Sequence, residues 1–494
     1  MYQIQPIFIT LLDTMLITLE CIILALQAVA AVRLALESPF EITSQSNNRL
    51  SKRSPVVLGG SIIKCYTMRS NVDGVNLDLR VDSSVSDIVV PLSSSSNDIG
   101  LAIQSISSGK PVTIKYRGKE YNGISSTAVV KISGTRITGI NLPAILVEKK
   151  SPGLVGIGGN PDQGVFGIGY SSLSKHHTSV PAIDALYNGG VITNNEVGLE
   201  LCPYKMLSKS SINIGNMEVT AKCGTDGTSV AWVDSPSNEQ HSVNIKDILV
   251  NGEKVDLPKE FQKTIIEHGR IFYSYLQTCF VYMYFPRVVV ETLVAAILDS
   301  GAILVKKTKS EHKHKLSETE IKKIFWENCL MFKSNYNIKW NKLPSLTIVM
   351  FAENPVTDAN RNSVVTIKLG PKDYIQRVDS KHVRFAVKAG SNDNAALGIP
   401  FMNRLRLVFD RQNKRIGLGP GCGCEVMADG YPIISNNDQV LWPLTHVRLP
   451  EQPSTSSSDG RSTLRRLSQL GSTLRDSIRR GSRRSKPNYE KFED

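Results

Sequence analysis

Two Asp-containing turns, each followed later in the chain by a short apolar-apolar-Gly strand, constrain the fold more than any other feature. Asp82-Ser83-Ser84, in "VDSSVSDIVVP", precedes Val165-Phe166-Gly167, and Asp299-Ser300-Gly301, in "ILDSGAILV", precedes Ala396-Leu397-Gly398. A lone Asp at a strand end is ordinarily a turn or capping residue. Two in matching contexts predict a duplicated lobe, with half of a shared site on each copy. Chance is the competing explanation, since apolar-apolar-Gly is a frequent triplet.

The chain between these landmarks reads as short strands. "VNLDLRVDSSVSDIVVP", "PVTIKYRGKEYNGISSTAVVKISG" and "ITGINLPAILV" alternate apolar and polar residues between Gly, Ser and Asn breaks. Helix signals are few. "PAIDALYNGG" (181–190) has Pro181 early and a Gly pair at its end. "LSETEIKKIFWENCL" (316–330) opens with Ser317 and Glu320 at capping-box spacing and carries Ile321, Ile324, Phe325 and Cys329 at helical intervals. The expected fold is mainly β with a few short helices, and 494 residues suffice for two lobes.

Charge excludes one function class. The net charge of +13 would suit nucleic acid or an anionic membrane, yet residues 461–487 hold nine Lys/Arg against Asp476 and supply +8 of it. The body is only mildly basic and shows no interleaving of aromatic and basic residues, so no nucleic-acid partner is expected. The tail from 453 is low in complexity and reads as disordered.

The N-terminal stretch "IFITLLDTMLITLECIILALQAVAAVRL" ends in Ala28-Val29-Ala30, as a signal peptide does. It lacks a basic start, and Asp13 and Glu20 interrupt it, so an uncleaved anchor stands beside that reading. Lys52-Arg53 reads either as a proprotein-convertase cut or as a solvated linker. Eight cysteines show no metal-ligand spacing, and secretory targeting makes disulfides the default. His312 and His314, like His176-His177, fit solvated loops better than a metal site. "GIGGNP" (156–161) follows no βαβ pattern, so it is not a phosphate loop. No metal or cofactor is expected.

Five stretches in order resemble the pepsin-like aspartic proteases: "VDSSVSDIVVP", "VTIKYRGKEYNG", "GVFGIGYSSLS", "ILDSGAILV" and "ALGIPFMNRLRLVFDRQNKRIGLG". Tyr121 beside the flap, "GLELC" before Cys202 and "GPKDYIQRV" are similar to the β-secretase (memapsin) branch. The resemblance implies two related β lobes flanking a cleft over 56–425, the first about 56–220 and the second about 221–425. Before it would lie a signal-like segment (1–31) and a propeptide (32–53), and after it an extension with the basic tail (426–494). It implies a monomer in the secretory pathway acting on polypeptides. Membrane association is also implied by that branch, although no apolar run precedes the tail.

The resemblance further implies that Asp82 and Asp299 share a proton and activate a water, with Tyr116 as the flap tyrosine and Ser83, Ser84, Ser300 and Gly301 supporting them. It pairs Cys202 with Cys422 and leaves Cys424 to reach Cys279, with Cys329 unpartnered. Departures from the family pattern sit at the chemistry. Ser84 replaces a glycine, where a side chain would push the turn aside, and Val85 and Ala302 replace two hydroxyls that would support the carboxyls. The stretch ahead of Asp299 is also about two dozen residues longer than the resemblance implies, read as an extra strand or a gene-model artefact. An acid-optimum endopeptidase is therefore expected, with a catalytically inactive peptide-binding pseudoprotease as the alternative.

Overall fold

The computed structural model describes residues 56–441, apart from 61, 63, 93–108, 117, 149–163, 176–179, 203–209, 216–229, 267–269, 307–312, 328 and 422–429. The signal-like segment, Lys52-Arg53, "GIGGNP", His176-His177, His312, Cys422, Cys424 and the basic tail lie outside the described residues.

The first half is an eight-stranded sheet. Its strands are β1 (Gly59–Gly60), β2 (Tyr66–Val72), β3 (Val75–Asp82), β4 (Ile88–Leu92), β5 (Lys110–Tyr116), β6 (Lys119–Lys131), β7 (Thr138–Glu148) and β8 (Val165–Gly167). They run in the order β1-β2-β3-β8-β4-β7-β6-β5. Alternation in β3 buries Leu77, Leu79 and Val81, and β4 buries Ile88, Val89 and Val90, as strands enclosed on both faces must. The predicted helix appears as α1 (Ala182–Asn188), stopped by Gly189 and by Gly190 at φ +66°.

The second half is built around a five-stranded sheet of β9 (Ser242–Val243), β10 (Ser274–Leu276), β11 (Met283–Phe285), β12 (Val387–Ala389) and β13 (Ala396–Leu397), in the order β9-β10-β13-β11-β12. A 13-residue helix, α2 (Arg287–Asp299), follows β11 and buries Val289, Val290, Leu293, Val294 and Ile297 along one stripe.

The two halves repeat one topology. β8 is parallel to β3 and antiparallel to β4, and β4 is parallel to β7. β13 is likewise parallel to β10 and antiparallel to β11, and β11 is parallel to β12. The duplicated lobe is real, but the second copy opens with β10, not with the segment at Asp299. The halves join in a six-stranded sheet of Val56–Val57, Ser211–Ile214, Glu196–Glu200, Leu405–Asp410, Arg415–Pro420 and Ala231–Asp234. A further sheet of the second half gains Ile433–Asn436 and Gln439–Leu441, so folded strands continue past residue 425. A chain of mainly short strands in two related halves is the bilobal pepsin-like fold.

The second predicted helix is present over 318–326, shorter than the 316–330 stretch and changing type partway. Ser317 caps Glu318–Ile321 with both bonds of the capping box, and a π turn over Lys322–Trp326 follows. Among the described residues, no helix is long and apolar enough to cross a membrane.

Candidate active site

Asp82 ends β3 and is 1% exposed. Its Oδ1 accepts from the Ser84 backbone N–H at 2.9 Å and from the Ser84 hydroxyl at 2.7 Å. Its Oδ2 accepts from the Tyr116 hydroxyl at 2.6 Å. Ser84 does not push the turn aside. Its hydroxyl donates to the carboxyl, so Asp82 is well supported despite Val85, which packs against an apolar cluster instead.

Tyr116 closes β5, at the tip of the hairpin that β5 forms with β6. Gly118 at φ +73° makes that tip possible. The tyrosine is 4% exposed and packs with Val112, Ile114, Tyr121 and Ile145. An apolar ring body with a polar tip suits a residue that roofs a buried carboxyl.

The second half does not present Asp299 to this turn. The residues bonded to Ser83 are Leu276, Gln277 and Thr278. The Ser83 backbone N–H donates to the Thr278 hydroxyl at 2.9 Å, and the Thr278 backbone N–H donates to the Ser83 hydroxyl at 3.1 Å. The Ser83 hydroxyl lies 3.1 Å from the Leu276 carbonyl and 3.2 Å from Gln277 Oε1. The Thr278 hydroxyl donates to the Val81 carbonyl at 2.8 Å. Two buried hydroxyls thus bond each other's backbone across the halves.

Register identifies the counterpart of Asp82. Asp82 is level with Gly167 across β3 and β8. Tyr275 and Leu276 are level with Ala396 and Leu397 across β10 and β13, which brings Gln277 level with Gly398. A Cβ on Gly167 would stand 2.5 Å from the carbonyl oxygen of Val85, three residues past Asp82. A Cβ on Gly398 would stand 2.4 Å from that of Phe280, three residues past Gln277. Gln277 Oε1 accepts from the backbone N–H of Cys279 at 3.3 Å, as Asp82 Oδ1 accepts from that of Ser84. Gln277-Thr278-Cys279-Phe280 therefore corresponds to Asp82-Ser83-Ser84-Val85.

Asp299, Ser300 and Gly301 are corrected accordingly. They form the end of α2, and Asp299 is exposed. Ser300 is the C-cap, its hydroxyl donating to the Ile297 carbonyl, and Gly301 at φ +57° turns the chain away. A polar-polar-Gly helix stop and an Asp-Ser-Gly turn share one spelling, which is why sequence reasoning chose the wrong one. The missed clue was the apparent insertion. Placing the motif 22 residues earlier, at Gln277 instead of Asp299, removes it.

The cysteines are rearranged as well. Cys279 bonds to Cys65, not to Cys424, and ties the Gln277 turn to the segment ahead of β2, with Cα atoms 4.6 Å apart. Cys202 is disulfide-bonded to a cysteine outside the described residues. Cys329 is an exposed free thiol.

Among the described residues, the two corresponding turns place one carboxyl, Asp82, and one carboxamide, Gln277. A carboxamide offers two N–H donors and one acceptor oxygen, but it neither gives up nor takes a proton near neutral pH. Residues 102–421 match the family model of the eukaryotic aspartyl proteases. A beta-secretase of Strongylocentrotus purpuratus is 22% identical over 340 residues, covering 63% of this chain and 56% of that protein. The chain thus spans little more than half the length of that relative.

Proposed function

The chain belongs to the eukaryotic aspartyl protease family, and on that premise we propose that it is a pseudoprotease, a bilobal module that holds extended peptides without cutting them. The observation that carries this reading is Gln277. It occupies the register position facing Gly398, bonds Ser83 and Cys279, and is 5% exposed. Hydrolysis by this family resemblance needs one carboxylate to take a proton from water while a second carboxylic acid protonates the peptide carbonyl. Asp82 alone fills one role and Gln277 neither. Positioned acid–base groups contribute roughly 10²–10⁴ in rate, so losing one removes detectable turnover. What remains is a flap tyrosine over a buried carboxyl and the two hydroxyls that bond the halves together.

Secretory targeting belongs to the same proposal. It is supported by the signal-like segment and by the Cys65–Cys279 bond, which suits an oxidising compartment. The test incubates the secreted protein with a peptide library at pH 3–6, with and without a statin-type inhibitor. No cleavage together with saturable peptide binding is the expected result. Statin-sensitive cleavage by the wild type overturns the proposal, and its loss in Asp299→Asn would restore Asp299 as the partner of Asp82.

A further inference from the structure

The turn that carries Gln277 is flanked on both sides in the chain by a ladder of half-buried aromatic rings. Phe272 meets Tyr275 at 6.3 Å between centroids and Tyr275 meets Phe280 at 6.4 Å. Phe280 meets Tyr284 at 5.3 Å and Tyr284 meets Tyr282 at 6.3 Å. Strand alternation explains the grouping: Met283 and Phe285 of β11 point into the core at 0% exposure, which leaves Tyr282 and Tyr284 on the other face.

Two cations close on one of these rings. The Lys388 ammonium stands 4.0 Å from the Tyr282 centroid and the Arg384 guanidinium 4.8 Å from it. Lys388 lies on β12 directly opposite Tyr284. Arg384 is 4% exposed and donates to the carbonyls of Ile62 and Val281 and to Gln376 Oε1, with the Tyr282 side chain beside it. A ring quadrupole attracts each cation, but the two repel one another in a partly desolvated place. Burial and the neighbouring Arg384 both push the Lys388 ammonium below its ordinary range. No carboxylate among the described residues pairs with either.

We infer that Tyr282, Arg384 and Lys388 form a subsite for an acidic side chain of a bound extended peptide, whose flanking apolar residues lie on the Tyr275–Phe280–Tyr284 ladder. The inference rests on the peptide-binding reading and assigns it a ligand chemistry. A carboxylate brought against the Lys388 ammonium offsets the repulsion from buried Arg384 behind it and accepts charge-assisted hydrogen bonds, which uncharged glutamine cannot do as well.

The test uses the full secreted chain and fluorescein-labelled, C-terminally amidated decapeptides with Glu at successive positions, each matched by a Gln version. Wild type is expected to bind one Glu register about tenfold more tightly than its Gln partner. Lys388→Glu is expected to abolish that preference. Lys388 is chosen because it is half-exposed, whereas replacing buried Arg384 risks the fold. Lys246→Glu serves as control, since that lysine lies over Phe351 in another sheet; it should leave the preference intact. Equal binding of Glu and Gln peptides, or a Glu preference that survives Lys388→Glu, overturns the subsite and leaves the peptide-binding reading standing. Failure of every decapeptide to bind overturns the peptide-binding reading itself, and the subsite with it.

Discussion

The Tyr116 hydroxyl spends its hydrogen bond on Asp82 Oδ2, so the flap is held down by the carboxyl that a ligand would meet. That bond favours the closed flap and competes with an incoming peptide. Tyr116→Phe keeps the ring in its apolar cluster of Val112, Ile114 and Tyr121 and removes only the donor. A buried acceptor losing its partner costs about 1–3 kcal/mol. The variant is therefore expected to melt a few degrees lower while binding peptides several-fold more tightly, by calorimetry and fluorescence titration. Unchanged affinity would mean the bond does not gate the site. A second buried group sets the acid tolerance. His241 is 0% exposed, sandwiched between Tyr170 and Phe409, with Nε2 3.0 Å from the carbonyl of Ile168, the residue next to Gly167. Burial pushes its pKa down to about 3. Between about 6.5 and 3 the unfolded chain binds a proton that the folded chain refuses, so stability falls as pH falls, by at most about 1.4 kcal/mol per pH unit. His241→Gln still donates to Ile168 but cannot titrate. The drop in melting temperature from pH 7 to pH 4 should shrink in that variant, and an unaltered drop would remove His241 as its cause. The wild type thus loses stability in the acid range where a carboxyl dyad would operate.

Which elements the sequence disclosed depended on how many meanings their residues have. Alternation placed β3, β4, β5 and β6, and the Pro and Gly-pair boundaries placed α1, because those patterns have one reading. The pairing of Val165-Phe166-Gly167 with Ala396-Leu397-Gly398 also disclosed the repeat, since each glycine is fixed by a carbonyl that a side chain would strike. Asp299-Ser300-Gly301 misled because helix stops and active-site turns use the same residues, whereas Gln277-Thr278-Cys279 keeps no carboxylate or glycine to advertise it. The two Gly positions separate these cases experimentally. Gly398→Ala forces a Cβ onto the Phe280 and Tyr282 carbonyls and is expected to destabilise by about 1–3 kcal/mol or more. Gly301→Ala meets nothing within 4 Å and costs only its positive φ, roughly 1 kcal/mol. Chemical denaturation of both variants checks this. Equal losses would remove the distinction between a turn inside the site and a helix stop.

At the scale of the molecule, two halves with one topology differ in chemistry at their corresponding turns, most of all where Asp82 meets Gln277 in the alignment of the two. The crossed hydroxyls of Ser83 and Thr278 keep the halves in register, and the Cys65–Cys279 bond adds a covalent tie that closes a separation of 214 residues on the turn itself. Gln277 is buried on its turn as an uncharged side chain, bonded to Ser83 and to the Cys279 backbone. Gln277→Asp reverses that. Two carboxyls on facing turns cannot both ionise, so one must keep its proton to a higher pH than in the unfolded chain. A folded pKa raised above the unfolded value contributes stability that is complete below about pH 4 and is lost as pH rises through the folded pKa. The melting temperature of Gln277→Asp relative to wild type should therefore be least depressed near pH 4 and most depressed near pH 7. The pair it creates is also the chemical minimum for hydrolysis, so statin-sensitive cleavage confined to acid is expected to accompany the shift, weakened because Val85 and Phe280 bring no hydroxyl to the carboxyls. A melting-temperature difference that stays flat from pH 4 to pH 7 would show that residues 82 and 277 do not face one another, and the assignment of Gln277 as the lost partner of Asp82 would fail.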